Sequence, residues 1–469
     1  MTAQASSIQE SVKKDHIAFQ EILSDDDLAA LFAKHHVQDE RKRKLFVRSF
    51  FWLMVFSAGE SSHRGSLLQL IGFFLGAAAL LFPENEVTTL TKSAVSKRLK
   101  EINWYLFRGV YNHLLEQYQE KLDVRDLKYL GRFKDAFAVD GSVIALCKRM
   151  EGVFDSVHQG RSSLKLNTKY SLKTAIVTKL QVSDGKRHDS RFSFVTKEAN
   201  CLYLVDLGYW SFRLMKKIID AGSFFVMRLK GNCDPLIVQV ANLELQHLVG
   251  RRLSELDDFL ATQVTVGTID LTVHLSKAKN PTFKNDVRLV GLFHDEQWRF
   301  YVTNIFEAHF TPQLIYDLYT QRWQVEIFFN LIKHVLSLDN IMSRTKNGIM
   351  IEIYSALIFY LLTRIVIALA AKKTGRSIHE FSFERAHKLI RGFMLSHFHQ
   401  FLQPSLLAVE PIFQHLIDMV AAMGVAATKS KIVELNEQFS NSKYEGKGLN
   451  LGHEPTQDVI KEKSRWLVG

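Results

Sequence analysis

The chain has 469 residues, of which 47% are hydrophobic and 23% charged, an ordinary soluble composition with enough apolar residues for a large core. A net charge of +11 permits binding to a polyanion without identifying one. The three cysteines, Cys147, Cys201 and Cys233, cannot all pair and lack zinc-site spacing. They predict a reducing compartment without structural zinc, and all three cysteines are interpreted as packing residues.

The N-terminus is polar and acidic and lacks the pattern of a signal peptide, so we expect a cytoplasmic rather than an exported protein. Two apolar runs resemble membrane spans. Residues 70–82 are too few to cross a bilayer, and residues 351–371 contain Glu352 and Arg364. Both runs are therefore predicted to be buried helices.

Two basic features near the N-terminus are candidate DNA contacts. The first is the cluster Arg41, Lys42, Arg43 and Lys44, at which the chain changes from acidic to basic. The second is a helix predicted over residues 89–100, whose basic, hydroxyl-bearing face includes Lys97 and Arg98. With the preceding apolar helix it fits a loose helix-turn-helix. A solvated charge run and an ordinary helical pair are the alternatives.

Asp140 follows a predicted buried strand over residues 136–139. Asp140 and Gly141 between two apolar runs also fit a hairpin turn, so that interpretation stays open. The next strands are predicted over residues 164–167 and 172–182. His188 and Asp189 follow them, and they are either metal ligands or, as is far commoner, turn residues.

Asp206 ends the continuous apolar run of residues 201–205. A turn with Gly208, a helix over residues 212–221 and a strand over residues 223–229 come next. This order of strand, aspartate, turn, helix and strand is much more specific than an Asp-Gly pair. Short alternating pieces over residues 231–306, among them 263–266, 270–275, 287–292 and 298–304, predict a β-rich insertion.

A polar stripe marks a helix predicted from Thr311 and Pro312 to about Leu338. The stripe lies within an arc of roughly 80° and consists of Tyr319, Arg322, Glu326, Asn330 and Lys333. Apolar side chains, including Trp323 and Ile327, fill most of the remaining circumference and are expected to be buried. An ordinary amphipathic helix with a narrow wet face is the alternative, but a buried glutamate needs a partner, a proton or a metal.

The spacing of Tyr319, Arg322, Glu326 and Lys333 resembles the Tyr-Arg-Glu-Lys signature of bacterial insertion-sequence DDE transposases of the insertion-sequence-four family. The resemblance implies a ribonuclease-H-like α/β fold, with a mixed sheet, a β-rich insertion and helical flanks. It also implies that Asp140, Asp206 and Glu326, here called the carboxylate triad, are catalytic and bind two Mg²⁺ ions, for which Mn²⁺ can substitute.

The same resemblance assigns Tyr319, Arg322 and Lys333 to DNA phosphates at the cleaved end and Trp298 to stacking on a flipped base. A strand tryptophan in the core is the alternative for Trp298. The implied partners are transposon-end DNA, target DNA and a second copy of the chain in a synaptic homodimer. The protein is expected in the bacterial cytoplasm, associated with the nucleoid when it acts.

The sequence therefore predicts a transposase that cleaves at transposon ends and joins them to target DNA. The alternatives are a ribonuclease-H-like nuclease or resolvase and a non-catalytic DNA-binding descendant of a transposase. The predicted regions are a helical end-binding region over 1–130, a catalytic core over 131–230 and 311–372, the β-rich insertion over 231–310 and a C-terminal helical region over 373–469.

Overall fold

A computed structural model describes residues 19–37, 45–59, 66–72, 75, 90–122, 127–240, 243–275, 283–401 and 406–441. The chain divides into two compact units. The described residues of the helical unit fall within Met1–Val124, Ile144–Ser163 and Phe329–Lys429, and those of the sheet unit within Arg125–Val143, Leu164–Phe328 and Ser430–Gly469. The five regions expected from the sequence divide the chain differently and stay a prediction.

The principal α-helices of the described chain are α1 Phe19–Ile22, α2 Asp25–Lys34, α3 Val47–Ala58, α4 Lys92–Glu101, α5 Tyr105–Lys121, α6 Phe212–Asp220, α7 Asp257–Thr262, α8 Pro312–Thr320, α9 Trp323–Asn330, α10 Lys346–Thr374, α11 Phe383–Phe401, α12 Leu406–Met423 and α13 Lys431–Asn441. The strands are β1 Asp135–Leu146, β2 Ser162–Ser171, β3 Ile176–Asp184, β4 Cys201–Val205, β5 Phe224–Arg228, β6 Leu236–Val240, β7 Thr268–His274, β8 Asp286–His294 and β9 Gln297–Thr303.

All these strands belong to one mixed sheet with the order β3-β2-β1-β4-β5-β9-β8-β7-β6. Strands β1, β4 and β5 are parallel neighbours, whereas β3 runs antiparallel to β2. From β5 outward the strands pair antiparallel, so the inserted strands β6 to β9 extend the same sheet. This confirms the predicted mixed sheet with a β-rich insertion.

The strand β4 shows why the apolar run before Asp206 forms part of the core. All five of its residues are buried, as expected for a parallel strand covered on both faces. One hydrophobic core continues along the sheet from Phe137 and Tyr203 to the insertion residues Val273 and Val287. The site at the end of β4 therefore rests on a packed platform.

The helix α10 is the centre of the helical unit, and helices α3, α4, α5, α11 and α12 contact it. It is long and apolar enough to cross a membrane by length and composition, and its most apolar 18-residue window is fully buried. Its buried Glu352 accepts hydrogen bonds from the backbone N–H groups of Met342 (3.0 Å) and Ser343 (2.8 Å). The prediction of a buried helix over 351–371 is confirmed, whereas most of residues 70–82 lies outside the described chain.

Two expectations about local structure are wrong, and one open alternative is excluded. The alternative is the hairpin turn at Asp140, which is absent because β1 continues through this position to Leu146. The piece over residues 263–266 is not a strand but a turn that follows α7. The helix expected over 311–338 is interrupted, because the residues Gln321 and Arg322 between α8 and α9 make tighter hydrogen bonds to the third residue back.

Candidate active site

The parallel pairing of β1 and β4 brings the two aspartates to the same edge of the sheet. Val139 lies opposite Val205, so Asp140 and Asp206 each follow one member of this pair. Each carboxylate accepts a hydrogen bond from the backbone just after it. Asp140 Oδ1 accepts from Gly141 N at 2.7 Å and Asp206 Oδ2 accepts from Gly208 N at 3.1 Å. The local backbone thus holds both side chains at this edge.

Arg322 lies between all three acidic side chains of the triad. Its Nη1 donates to Asp140 Oδ2 at 2.9 Å and its Nη2 to Glu326 Oε1 at 2.7 Å. Asp206 Oδ1 lies 4.0 Å from Nη1, which is an ion-pair distance rather than a hydrogen bond. Residues from β1, from the turn after β4 and from α9 therefore meet around one guanidinium group.

Burial and like charge shift the ionisation of this site. The pKa of Asp140 is raised to about 6, first by burial and further by the charges of Asp206 and Glu326, while Gly141 N–H and Arg322 oppose the shift. Burial also raises the pKa of Tyr319, whose ring centroid is 5.9 Å from Arg322 Cζ. The triad is thus a partly desolvated site with three neighbouring carboxyl groups.

A fourth carboxylate, Asp189, lies directly behind the two aspartates. Lys165 Nζ contacts Asp189 Oδ1 at 2.8 Å, and Tyr209 Oη donates to Asn167 Oδ1 at 2.8 Å. A Cβ atom added at Gly141 would lie 2.8 Å from Asn167 Oδ1 and 3.0 Å from Asp189 Oδ1. Glycine is therefore required after Asp140 by the close approach of these polar side chains.

Sequence reasoning missed Lys165, Asn167 and Tyr209 and weighed Asp189 only as a turn residue or a metal ligand. A signal for two of them was available, because Lys165 and Asn167 are two apart on β2 and so share one face. Nothing local in the sequence places that face against the ends of β1 and β4. That placement depends on the order of strands in the sheet.

The triad fits a divalent cation by its chemistry. Carboxylate oxygens are the preferred ligands of Mg²⁺ and Mn²⁺, and these three already surround one positively charged group. Among the described residues, no group of three or more acidic, histidine or cysteine side chains is arranged to hold a metal ion as it stands. Arg322 separates the carboxylates, so the assignment of metal ligands stays a prediction.

Trp298 is a buried strand residue with an exposed fraction of 6%. It lies opposite Phe293 in the sheet, and its ring centroid is 6.1 Å from that of Phe300. This packing is that of a core tryptophan, and stacking of Trp298 on a DNA base stays a prediction. The exposed tryptophan near the triad is instead Trp323, at 56%, and Ile327 one turn later is 40% exposed.

The expectation that Trp323 and Ile327 are buried is wrong. The apolar arc of α9 is wider than the face that its neighbours cover, which includes Val325 and Phe328. The apolar arc follows from the amino-acid composition of α9, whereas the covered face depends on which other elements pack against the helix. The result is an apolar patch on the helix that carries Glu326.

The remaining predicted DNA contacts belong to other elements of the chain. Lys333 is in the helical unit, in a π-helical turn over Leu331–Val335, and burial lowers its pKa against the charge of Asp339. Lys97 is exposed on α4 and lies 3.6 Å from Glu101. Arg98 is buried and donates to the carbonyl of Leu45, which is a structural contact. Residues 41–44 lie outside the described chain, and whether any of these residues contacts DNA stays a prediction.

The comparisons with known proteins agree with one another. The family described as the transposase DDE domain matches residues 131–362, a range that includes the carboxylate triad. A probable transposase for insertion sequence element IS5377 of Geobacillus stearothermophilus is 27% identical over 338 residues, covering 70% of this chain and 83% of that protein. A transposase for element IS231F of Bacillus thuringiensis subsp. israelensis is 21% identical over 312 residues, covering 58% and 64%.

A putative transposase for element IS4SA of Synechocystis sp. is 22% identical over 288 residues, covering 60% of this chain and 72% of that protein. Among solved structures, a piggyBac transposase in a synaptic complex with hairpin DNA aligns with a TM-score of 0.44 at 9% identity. That alignment covers 88% of this chain and 85% of the piggyBac chain.

Proposed function

This chain belongs to the DDE transposases of insertion sequences, and from that premise we propose that Asp140, Asp206 and Glu326 are its catalytic, metal-binding triad. The chain is a DNA transposase, an enzyme that cleaves and transfers DNA phosphodiesters. The observation that carries the proposal is the meeting of three carboxylates from three separate elements around Arg322. A structural ion pair needs one acidic partner, and this site has three.

The reaction explains why three carboxylates meet at this site. Members of this family use divalent ions, and we propose two Mg²⁺ ions, replaceable by Mn²⁺, which Asp140, Asp206 and Glu326 would hold through oxygen ligands. Bound there, the ions would supply activation of the attacking water or 3′-hydroxyl and charge stabilisation of the leaving oxygen. The backbone N–H groups of Gly141 and Gly208 fix the orientation of the two aspartates before any substrate arrives.

The basic residues are proposed to bind and orient DNA. Arg322 suits a bidentate contact to phosphate, Lys333 a point-charge contact, and Tyr319 a hydrogen bond from its neutral hydroxyl. The raised pKa of Tyr319 supports this, because the hydroxyl keeps its proton at neutral pH. Trp298 is kept as a candidate for base stacking only if DNA opens its packing.

The end-binding region is proposed to include Arg41, Lys42, Arg43 and Lys44, together with Lys97 on α4. Arg98 supports this region by holding Leu45 and is not expected to reach DNA in this conformation. Transposon-end DNA is the first partner. Target DNA and a second copy of the chain are the further proposed partners. The transposition reaction is proposed to take place in the cytoplasm, at the nucleoid.

The test is cleavage and strand transfer on DNA that carries the element's terminal repeats, with Mg²⁺, Mn²⁺ or chelator. Wild type is compared with Asp140→Asn, Asp206→Asn and Glu326→Gln. We expect joined products to require metal and to fall by at least about a thousandfold in each variant, the scale seen when a catalytic group is removed, while DNA-end binding persists. Cleavage without joining in wild type supports a nuclease instead, and full activity in any variant removes that carboxylate from the triad.

A further inference from the structure

We propose that Arg322 is the internal counter-ion of the triad in the metal-free protein and competes with divalent ions for the same carboxylate oxygens. The inference rests on the proposed function, because it takes the triad as the metal site. It gives Arg322 a role before DNA arrives, in addition to its proposed contact with phosphate. Arg322 thereby sets the metal concentration at which the site fills.

The charge of Arg322 supports its role as the counter-ion of the triad. Within the described chain, Arg322 is the only cationic side chain within 4.0 Å of the three carboxylates. Without it, three like charges would face one another in a partly buried site, where solvent screens them weakly. The guanidinium therefore supplies the positive charge that keeps these side chains together when no metal is bound.

The second argument is that the guanidinium is poorly matched to this position. Its two Nη atoms donate to two different carboxylates, Asp140 and Glu326, so neither forms the parallel pair of bonds that makes arginine contacts strong. Asp206 stays at 4.0 Å, and Arg322 Nε is buried with no hydrogen-bond partner among the described residues. A contact with one unsatisfied donor can be exchanged at modest cost.

Competition follows from the atoms involved. Asp140 Oδ2 and Glu326 Oε1 accept from Arg322, and an ion held by these side chains needs their oxygens. A guanidinium beside that ion would also repel it. Arg322 must therefore withdraw when metal binds, and its freed fork then suits a phosphate group. By linkage, DNA that captures Arg322 tightens metal binding and metal tightens DNA binding equally.

The experiment is a titration with Mn²⁺ in the absence of DNA, in which the electron paramagnetic resonance signal reports free ion. We expect Arg322→Gln to bind Mn²⁺ about tenfold tighter than wild type, the effect of losing one close like charge. Arg322→Lys keeps the positive charge but lacks the forked guanidinium, and its affinity for Mn²⁺ should lie between those of wild type and Arg322→Gln. The matched control is Arg251→Gln, whose guanidinium pairs with Glu255 in the insertion, and its affinity should be unchanged.

The variant Asp140→Asn distinguishes the proposed metal site from the proposed competition between Arg322 and the metal. Weaker Mn²⁺ binding in Asp140→Asn together with tighter binding in Arg322→Gln supports both. Weaker binding in Asp140→Asn without a gain in either Arg322 variant overturns the competition and leaves the metal site intact. Unchanged binding in Asp140→Asn overturns the metal site and the competition with it. Thermal melting checks that the variants are folded, and Arg322→Lys serves if Arg322→Gln does not fold.

Discussion

Asp140 is the most enclosed carboxylate of the triad, because its side chain is 18% exposed against 38% for Asp206 and 26% for Glu326. Its environment contains both the guanidinium that favours the charged form and the two carboxylates that oppose it. Burial outweighs the guanidinium, which is why its pKa rises to about 6 from the ordinary 3.8. The charge of Asp140 in the metal-free protein therefore responds to mildly acidic pH.

We predict that Asp140 makes the metal-free protein less stable as the pH rises from about 4 to about 6. The folded state binds the Asp140 proton more tightly than the unfolded state, so the stabilisation is complete below pH 3.8 and is lost as the pH rises through 6. Melting temperatures from pH 4 to pH 7 measure this. The decline should be shallower in Asp140→Asn than in wild type, and equal slopes would show that Asp140 titrates normally.

Trp298 is buried and Trp323 is exposed, so truncation of these two side chains should affect protein stability differently. Trp298→Ala removes a core side chain and should destabilise the protein by about 3 to 5 kcal/mol. Trp323→Ala changes an exposed side chain and should alter stability by no more than about 0.5 kcal/mol. Thermal unfolding checks both. A stable Trp298→Ala protein with weakened DNA-end binding would instead favour the base-stacking role of Trp298.

At the scale of elements, the part of β1 that follows Asp140 packs closely against polar side chains. Gly141→Ala places a Cβ within about 3 Å of Asn167 and Asp189, and overpacking of this kind costs about 1 to 3 kcal/mol. We predict a lower melting temperature and a loss of DNA cleavage, because either these polar side chains or the backbone beside Asp140 must shift. Gly392→Ala on α11 meets open space and is the control. Normal cleavage by Gly141→Ala would mean that the position of Asp140 tolerates this shift.

The buried Glu352 on α10 should be important for the helical unit. Glu352→Ala leaves the N–H groups of Met342 and Ser343 without their acceptor, which costs about 1 to 3 kcal/mol for each unsatisfied group. We predict a clearly lower melting temperature, whereas Glu198→Ala, which removes an exposed partner of Lys134, should have little effect. Similar melting temperatures for the two variants would contradict a structural role for Glu352.

The elements that sequence reasoning placed correctly have strong local signals. The strand β4 is a continuous apolar run, and Thr311 with Pro312 begins α8 as a side-chain cap and a first-turn proline. The break between α8 and α9 could not be predicted in this way. Gln321 and Arg322 are ordinary helix formers, so neither glycine nor proline marks the position at which the chain tightens.

For the molecule as a whole, the proposed triad could be predicted because the spacing on one helix and the apolar runs before Asp140 and Asp206 are visible in the sequence. The position of Arg322 among the three carboxylates could not be identified. It depends on the register of β1 with β4 and on the break before α9, both of which are tertiary features. The supporting cluster around Asp189 depends likewise on the strand order.

Asp140, Asp206 and Glu326 are proposed to hold the catalytic metal ions. The most direct measurement is anomalous scattering from Mn²⁺ in crystals of the protein grown with transposon-end DNA. We predict Mn²⁺ peaks within coordination distance of the triad, about 2.0 to 2.6 Å from its oxygens, with Arg322 turned toward a phosphate. Peaks elsewhere, or a triad that remains bridged by Arg322 in saturating Mn²⁺, would contradict the account.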